Sequence, residues 1–276
     1  MITSTGSSQV KRVIQLQKKS KIRKENRQFV VEGVKMVCEA PFDRIEKVYM
    51  SERFATDNED FVKKLGMSDD KVETVADNVF AHMSDTQTPQ GVMAVINMKE
   101  YSVDDIIKAG SDRKPLIENL QDPGNLGTIV RMAEGAGVTG IVISSNAVDI
   151  YNPKTIRSTM GSIYRVPFVY ATDFIGAIEL MKKNGINVYA AHLDGGCEYT
   201  EADYTKSSAF LIGNEGNGLT EEAAEAIGNE GNGLTDAASK AADNLIKIHM
   251  EGKVESLNAA IACTVLTYEA MRQRRS

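Results

Sequence analysis

The stretch "IENLQDPGNLGTIVRMAEGAGVTGIVIS", Ile117 to Ser144, decides how this chain folds. An apolar run ends at Leu120, a turn follows at Asp122-Pro123-Gly124-Asn125, a helix is expected over "GTIVRMAEGAG", and a second apolar run, "GIVIS", closes the unit. Proline presets φ while glycine and the Asx residues accept turn geometry, so the break falls where the composition puts it. A strand, a helix and a second strand in that order predict a crossover with parallel strands.

Outward from this unit the same alternation repeats. "PKTIRSTMGSIY" reads as helical, "VPFVY" as a strand, "DFIGAIELMKKNG" as a helix, "INVYAAHL" and "SAFLIG" as strands, and "SLNAAIACTVLTYEAMRQRR" as a closing helix. The fold class is α/β, a mostly parallel sheet with helices on both faces. Ligands in such sheets sit at the carboxyl ends of the strands, which directs attention to the loops after Leu120, Leu193, Ile212 and Ile248.

Toward the N-terminus, residues from Gln9 to about Lys24 carry Val10, Val13, Ile14 and Leu16 among basic residues, the pattern of a short amphipathic helix. "FVVEG", "IEKVYMS" and "GVMAVINM" read as strands, with helices expected at "KMVCEA" and "DFVKKLG" and a turn at "TQTPQ". A small α/β domain over residues 1–98, a polar linker over 99–113 and a larger domain over 114–276 follow.

The length of 276 residues and the 42% apolar content suit two domains with a substantial core. No run of eighteen apolar residues is present and "MITSTGSSQVKR" lacks the apolar core of a secretory signal, so a cytoplasmic protein without a membrane partner is expected. Cys38, Cys197 and Cys263 lie far apart with no CxxC pair, and His82, His192 and His249 do not cluster with them, so neither disulfides nor a metal are expected. The formal charge of −6 is uneven: the first 35 residues hold nine basic and two acidic side chains, a net of +7. A cationic arm on an acidic body suits an extended polyanion, since phosphate contacts release counterions while the body stays soluble; a solvated helix face is the alternative.

Three motifs carry chemistry. In "NLQDPGNLGTIVRMA", the helix after the turn is expected to bring Arg131 to the face that shares the loop with Asn125. The octapeptide "GNEGNGLT" occurs twice, from Gly213 and again from Gly228; its glycines suit a close backbone approach to a ligand, yet GxxGxG is neither dinucleotide nor P-loop spacing. In "IHMEGKVESLNAAIA", Ser256 and Asn258 stand at the start of a helix whose open N–H groups can face a ligand, although Ser256 would also serve as a plain helix cap.

Taken in order, "NLQDPGNLGTIVRMA", "FLIGNEGNGLT" and "IHMEGKVESLNAAIA" resemble the SpoU (TrmH-like) family of RNA ribose 2′-O-methyltransferases in the SPOUT superfamily, over about Pro115 to Arg272. "PKTIRSTMGSIYRVPF" is similar to that family's middle segment. The basic start and "TQTPQGVMAV" resemble the N-terminal substrate-binding domain, shaped like a ribosomal protein, that many members carry. The resemblance implies a trefoil-knotted methyltransferase domain, a homodimer, S-adenosylmethionine as cofactor, and structured RNA as partner, ribosomal RNA first and transfer RNA second. Carried over motif by motif, Asn125, Arg131, Glu215, Ser256 and Asn258 fall on the family's catalytic residues. Leu193, Gly195, Gly213, Asn214, Gly218, Ile248, Met250 and Leu257 fall where the cofactor pocket is lined. His249 stands where the family usually has proline.

Methyl transfer is an in-line displacement by a hydroxyl on a sulfonium methyl, so alignment supplies much of the rate and no metal is required. A guanidinium is a poor base, which points Arg131 to the RNA phosphate instead. Two other readings stay open on the residues: an RNA-binding module that kept the fold without catalysis, and a nucleotide-phosphate enzyme, the latter lacking the Lys-[Ser/Thr] pair it would need. Of the two octapeptides, copy one follows the strand-like "SAFLI", whereas the interval from Thr235 to Ile248 looks like the family's usual one; copy one with Glu215 is expected to serve the site, copy two with Glu230 being the alternative, and the duplication is expected to add a surface helix and turn downstream without a second pocket.

Overall fold

The structure is a computed structural model that describes residues 1–109, 113–117, 119–192, 195–213, 234–254 and 256–275. The chain divides into two compact units. One holds Met1–Lys99 with Asp149–Tyr164, and the other Glu100–Val148 with Arg165–Ser276.

In the first unit, α1 (Ser8–Lys18) buries Val10, Val13 and Leu16, the i, i+3, i+6 stripe of an amphipathic helix. The expected single helix is two, because Lys19 is extended (φ −123, ψ 109) and α2 (Ser20–Asn26) starts anew. The cause is tertiary: the guanidinium of Arg23 donates to the carbonyls of Leu16 and Gln17, both at 2.8 Å, satisfying the end of α1 from the side. After β1 (Gln28–Glu32) come α3 (Val34–Cys38), β2 (Ile45–Ser51), α4 (Glu52–Asp57), α5 (Phe61–Leu65), β3 (Val72–Val75), α6 (Asp77–Met83) and β4 (Val92–Asn97). They form a four-stranded sheet of order β1-β4-β2-β3, with β1 and β2 antiparallel to β4 and β3 parallel to β2. Helices α1 and α6 pack on it through Val10, Leu16, Val79 and Phe80 against Val30, Tyr49 and Met93.

In the second unit, the segment expected as a linker contains α7 (Val103–Lys108). Ser102 and Asp105 form a reciprocal capping box at its start, and Ile106 is fully buried in this unit's core. A Cβ at Gly140 would come within 2.6 Å of the Ile106 side chain, so helix and sheet meet closely. The remaining elements are β5 (Arg113–Ile117), α8 (Pro123–Gly135), β6 (Ile141–Ser144), β7 (Phe168–Ala171), α10 (Phe174–Lys183), β8 (Asn187–Ala191), β9 (Cys197–Glu198), β10 (Ser208–Ile212), α11 (Asp236–Ala241), β11 (Asn244–Lys247) and α12 (Ala259–Gln273). Helix α9 (Pro153–Thr159) lies between β6 and β7 in sequence but belongs to the first unit.

The seven strands pair in the order β7-β6-β5-β10-β8-β11-β9, every pair parallel, as the alternation predicts. Leu116, Val142, Val188, Ala190 and Leu211 pack one face against α7, α10 and α11. Strand alternation turns the neighbouring side chains to the opposite face, where α12 lies against β5, β10 and α8.

Candidate functional site

Strands β5, β10, β8 and β11 are consecutive neighbours and all parallel, so their carboxyl ends share one edge of the sheet. The four loops singled out in the sequence leave from that edge. It is also where the strand order reverses, since the chain runs outward from β5 to β6 and β7 and then resumes on the other side.

The loop after β5 is built from local turn chemistry. Asn119 takes the left-handed conformation (φ 51), which Asn tolerates better than most residues, and its N–H donates to the Ser144 hydroxyl at 2.9 Å. Asp122 is the N-cap of α8, its carboxylate accepting the Asn125 N–H at 2.7 Å, with Pro123 in the first turn.

The cap of α12 is Asn258, and Ser256 stands exposed two residues earlier. The Asn258 side-chain oxygen accepts from the N–H groups of Ala260 (3.1 Å) and Ile261 (3.3 Å). Its amide nitrogen then donates to the Asn125 side-chain oxygen at 3.1 Å. One carboxamide thus closes the start of α12 and ties it to the first turn of α8, two helix N-termini brought together from residues 133 positions apart. Open N–H groups at such termini favour anionic or carbonyl groups of a ligand.

Arg131 lies six residues further along α8 on the exposed stripe with Thr128 and Gly135, about 9 Å along the axis from Asn125 at about 1.5 Å per residue. Among the described residues no hydrogen bond or ion pair holds its guanidinium. The structure therefore brings Asn125 and Asn258 into contact and leaves Arg131 on the same helix, facing outward. The next acidic residue, Glu134, is engaged by Arg165, whose second contact measures 3.1 Å. The bracing residues Asn119, Asp122 and Ser144 were not among the sequence candidates; the signal for the first two is the Asx-rich turn itself.

After β8 the chain folds back over β11: the His192 N–H donates to Ile246 O at 2.9 Å and the Gly195 N–H to His192 O at 3.1 Å. A Cβ at Gly195 would sit 2.5 Å from the Ile246 carbonyl carbon, so only glycine fits this approach. Gly213 continues directly from β10, and Ile248, His249 and Met250 continue from β11, with His249 exposed. Leu257 is half-buried beside the Asn258 cap. Leu193, Asn214, Glu215, Gly218 and Glu230 lie outside the described residues.

Copy one of the octapeptide starts at the end of β10, and copy two ends at α11. There Leu234 packs on the core and the Thr235 hydroxyl caps the helix, accepting the Ala238 N–H at 3.2 Å. Helix α11 is a core helix through Ala238 and Ala241 rather than a surface addition.

Cys263 is wholly buried and burial pushes its thiol up to about 12, which removes it as a thiolate nucleophile near neutral pH. Among the described residues, no group of three or more His, Cys, Asp and Glu is placed to hold a metal ion, and no helix is long and apolar enough to cross a membrane.

The profile of the SpoU rRNA Methylase family matches residues 116–227 and 224–268, two overlapping stretches that each contain one octapeptide. The MRM3-like substrate binding domain matches residues 7–94. The chain is 31% identical over 194 residues, 70% of each chain, to the 23S rRNA (guanosine(2553)-2′-O)-methyltransferase RlmP of Bacillus subtilis. It is 30% identical over 277 residues, 99% of this chain and 94% of the other, to an uncharacterized tRNA/rRNA methyltransferase of Synechocystis. Among solved structures, the AdoMet-bound rRNA methyltransferase from Sinorhizobium meliloti superposes with a TM-score of 0.78 at 30% identity, covering 98% of this chain and 97% of that one.

Proposed function

The chain belongs to the SpoU rRNA methylase family, and from that premise we propose that it transfers a methyl group from S-adenosylmethionine to a ribose 2′-hydroxyl of ribosomal RNA. The observation that carries this reading is the Asn125–Asn258 contact of 3.1 Å at the edge where four loops leave adjacent parallel strands. The residues fit the cofactor. Gly195 lets the loop after β8 lie directly on the β11 backbone, Gly213 opens the next loop, and the main chain of Ile248 and Met250 continues from β11 at the same edge. In our assignment Leu193, Asn214, Gly218 and Leu257 complete that pocket. The cofactor supplies an electrophilic methyl on a sulfonium.

The protein's part is alignment. Asn125 and Asn258, each fixing the other's orientation, present carboxamide groups to the ribose and its neighbouring backbone. Arg131 grips the phosphate beside the reacting ribose; its exposed guanidinium suits a bidentate phosphate contact. Glu215 orients Arg131, and Ser256 borders the same loop. The first unit selects the RNA. Our functional division is a substrate-binding domain shaped like a ribosomal protein over 1–98, a connection over 99–113, and a methyltransferase domain over 114–276. The basic residues of α1 and α2 supply phosphate contacts, with one exception. Arg23 is 4% exposed and spent inside the fold, which corrects its place in the cationic arm.

The same reading makes the methyltransferase domain trefoil-knotted and the protein a cytoplasmic homodimer. The exposed Ile261 (51%) and Tyr268 (40%), seven residues apart on one face of α12, support a subunit contact there. Mapping 2′-O-methylation across ribosomal RNA from wild-type and gene-deleted cells tests the function. One ribose should lose its methyl and regain it with the wild-type gene but not with Arg131→Ala; an unchanged ribosomal RNA profile refutes the proposal.

A further inference from the structure

Strands β1 and β2 both run antiparallel to β4, so the starts of β1 and β2 and the end of β4 share one end of the first unit's sheet, with Gln28 opposite Asn97 and Ile45 opposite Ile96. One polar network closes that end. The Gln28 side chain is buried; its oxygen accepts from Nη2 of Arg12 at 2.6 Å, and its nitrogen donates to the Asn97 side-chain oxygen at 2.9 Å. The Asn97 main-chain carbonyl accepts in turn from Nε of Arg44 at 2.9 Å. Lys71 joins at the same place, its ammonium donating to the Ile45 carbonyl at 2.9 Å. Three cations are thus oriented by amide oxygens, which fix direction without cancelling charge, and each arginine uses one of its five N–H donors in these contacts.

On the turn just before β2 stands Phe42, 54% exposed, the most exposed aromatic ring among the described residues. Exposure alone does not make a site. The backbone that carries this ring is braced, however: Pro41 precedes it with φ −61, the Arg44 N–H donates to the Pro41 carbonyl at 3.0 Å, and the Arg44 side chain ties the turn to the end of β4. A ring held in water on a fixed turn, two residues from a guanidinium, matches what an unpaired nucleotide presents, a flat base for the ring and a phosphate for the fork. A fully paired helix presents the phosphates but keeps its base faces stacked inside the duplex. Exposed Asp43 and Glu46 flank Arg44 in sequence and weaken the positive field on that side, so stacking on the ring rather than charge sets the preference.

We infer that this end of the first unit's sheet is a site for an unpaired nucleotide of the RNA, with Phe42 stacking on the base and Arg12, Arg44 and Lys71 taking the adjoining phosphates. It adds to the phosphate contacts of Lys18, Lys19 and Lys21, which carry no information about pairing. The inference rests on the reading that the first unit selects RNA, and makes that selection one for an exposed base in a loop or bulge.

The full-length protein is titrated, across a salt series, with an unstructured oligouridylate and with a fully paired RNA duplex, as wild type, Phe42→Leu, Phe42→Trp, and the double variant Arg12→Gln with Arg44→Gln. Phe42→Leu should weaken oligouridylate binding about tenfold and leave duplex affinity within about threefold, while Phe42→Trp, which keeps a stacking face, should bind oligouridylate at least as well as wild type. The double variant should flatten the slope of log oligouridylate affinity against log salt by about 1–1.5. Wild-type affinity of Phe42→Leu for oligouridylate, an equal loss on both RNAs, or an unchanged salt slope in the double variant overturns the inference. So does a change of oligomeric state in Phe42→Leu, read by light scattering, with both RNA affinities unaltered, which would make the ring a contact between copies. Failure of the underlying reading looks different: wild-type protein that binds neither RNA removes RNA selection from the first unit and this site with it, whereas binding to both RNAs with Phe42 indifferent to each overturns the site alone.

Discussion

Replacing Asn258 by Asp separates the two tasks that its carboxamide performs. The side-chain oxygen caps α12 by accepting two N–H groups at 3.1 and 3.3 Å, and the nitrogen donates to Asn125 at 3.1 Å. Asp keeps the first task and improves it, since a carboxylate at a helix N-terminus gains about 0.3–1 kcal/mol from the helix dipole. It abolishes the second, losing a neutral hydrogen bond of about 0.5–1.5 kcal/mol and facing the Asn125 oxygen with another oxygen. Stability should therefore change by no more than about 1 kcal/mol, or about 4 °C in Tm for a unit of this size. Asn258→Ala loses cap and contact together, roughly 2 kcal/mol and twice that shift. Methyl transfer should fall at least tenfold in both variants, the equivalent of about 1.4 kcal/mol in the barrier. Thermal melts and single-turnover rates on the pair decide the matter. An Asp variant as unstable as the Ala variant, or one that methylates within threefold of wild type, refutes the two-task argument.

Arg131→Ala should lower methylation at least tenfold while S-adenosylmethionine affinity, read by calorimetry, stays within about threefold; near-normal turnover would remove Arg131 from the RNA contact. Changing the exposed Lys18, Lys19 and Lys21 together to Gln should weaken RNA binding and flatten the slope of log affinity against log salt by up to about 2–3, and an unchanged slope means these lysines touch no phosphates. Glu215→Gln should cost more methylation than Glu230→Gln in side-by-side assays, because copy one leaves directly from the carboxyl end of β10; the reverse order assigns the site to copy two.

Much of the site was legible because its chemistry is local. The turn Asp122-Pro123-Gly124-Asn125 announces both the end of β5 and the cap of α8, and the alternation of apolar strands and amphipathic helices announces the parallel sheet. What stayed hidden depends on distant partners. Ser and Asn are both good helix caps, so the choice of Asn258 over Ser256 rests on a contact with Asn125, which no local preference encodes. The break at Lys19 is made by Arg23 reaching back to the end of α1, and helical periodicity cannot report it. Periodicity likewise shows that Pro153–Thr159 is a helix but not which core it joins. Helix α7 had a readable signal in Ser102 and Asp105, overshadowed by the polar residues around it.

The central claim, ribose methylation of ribosomal RNA from S-adenosylmethionine, is tested most directly by labelling. Purified protein is incubated with deuteromethyl S-adenosylmethionine and ribosomal RNA from gene-deleted cells, and the RNA is digested to nucleosides for mass spectrometry. The account predicts the heavy methyl on one 2′-O-methylnucleoside, absent when Arg131→Ala replaces the wild type. Label on a base, or no label in the ribosomal RNA, contradicts it.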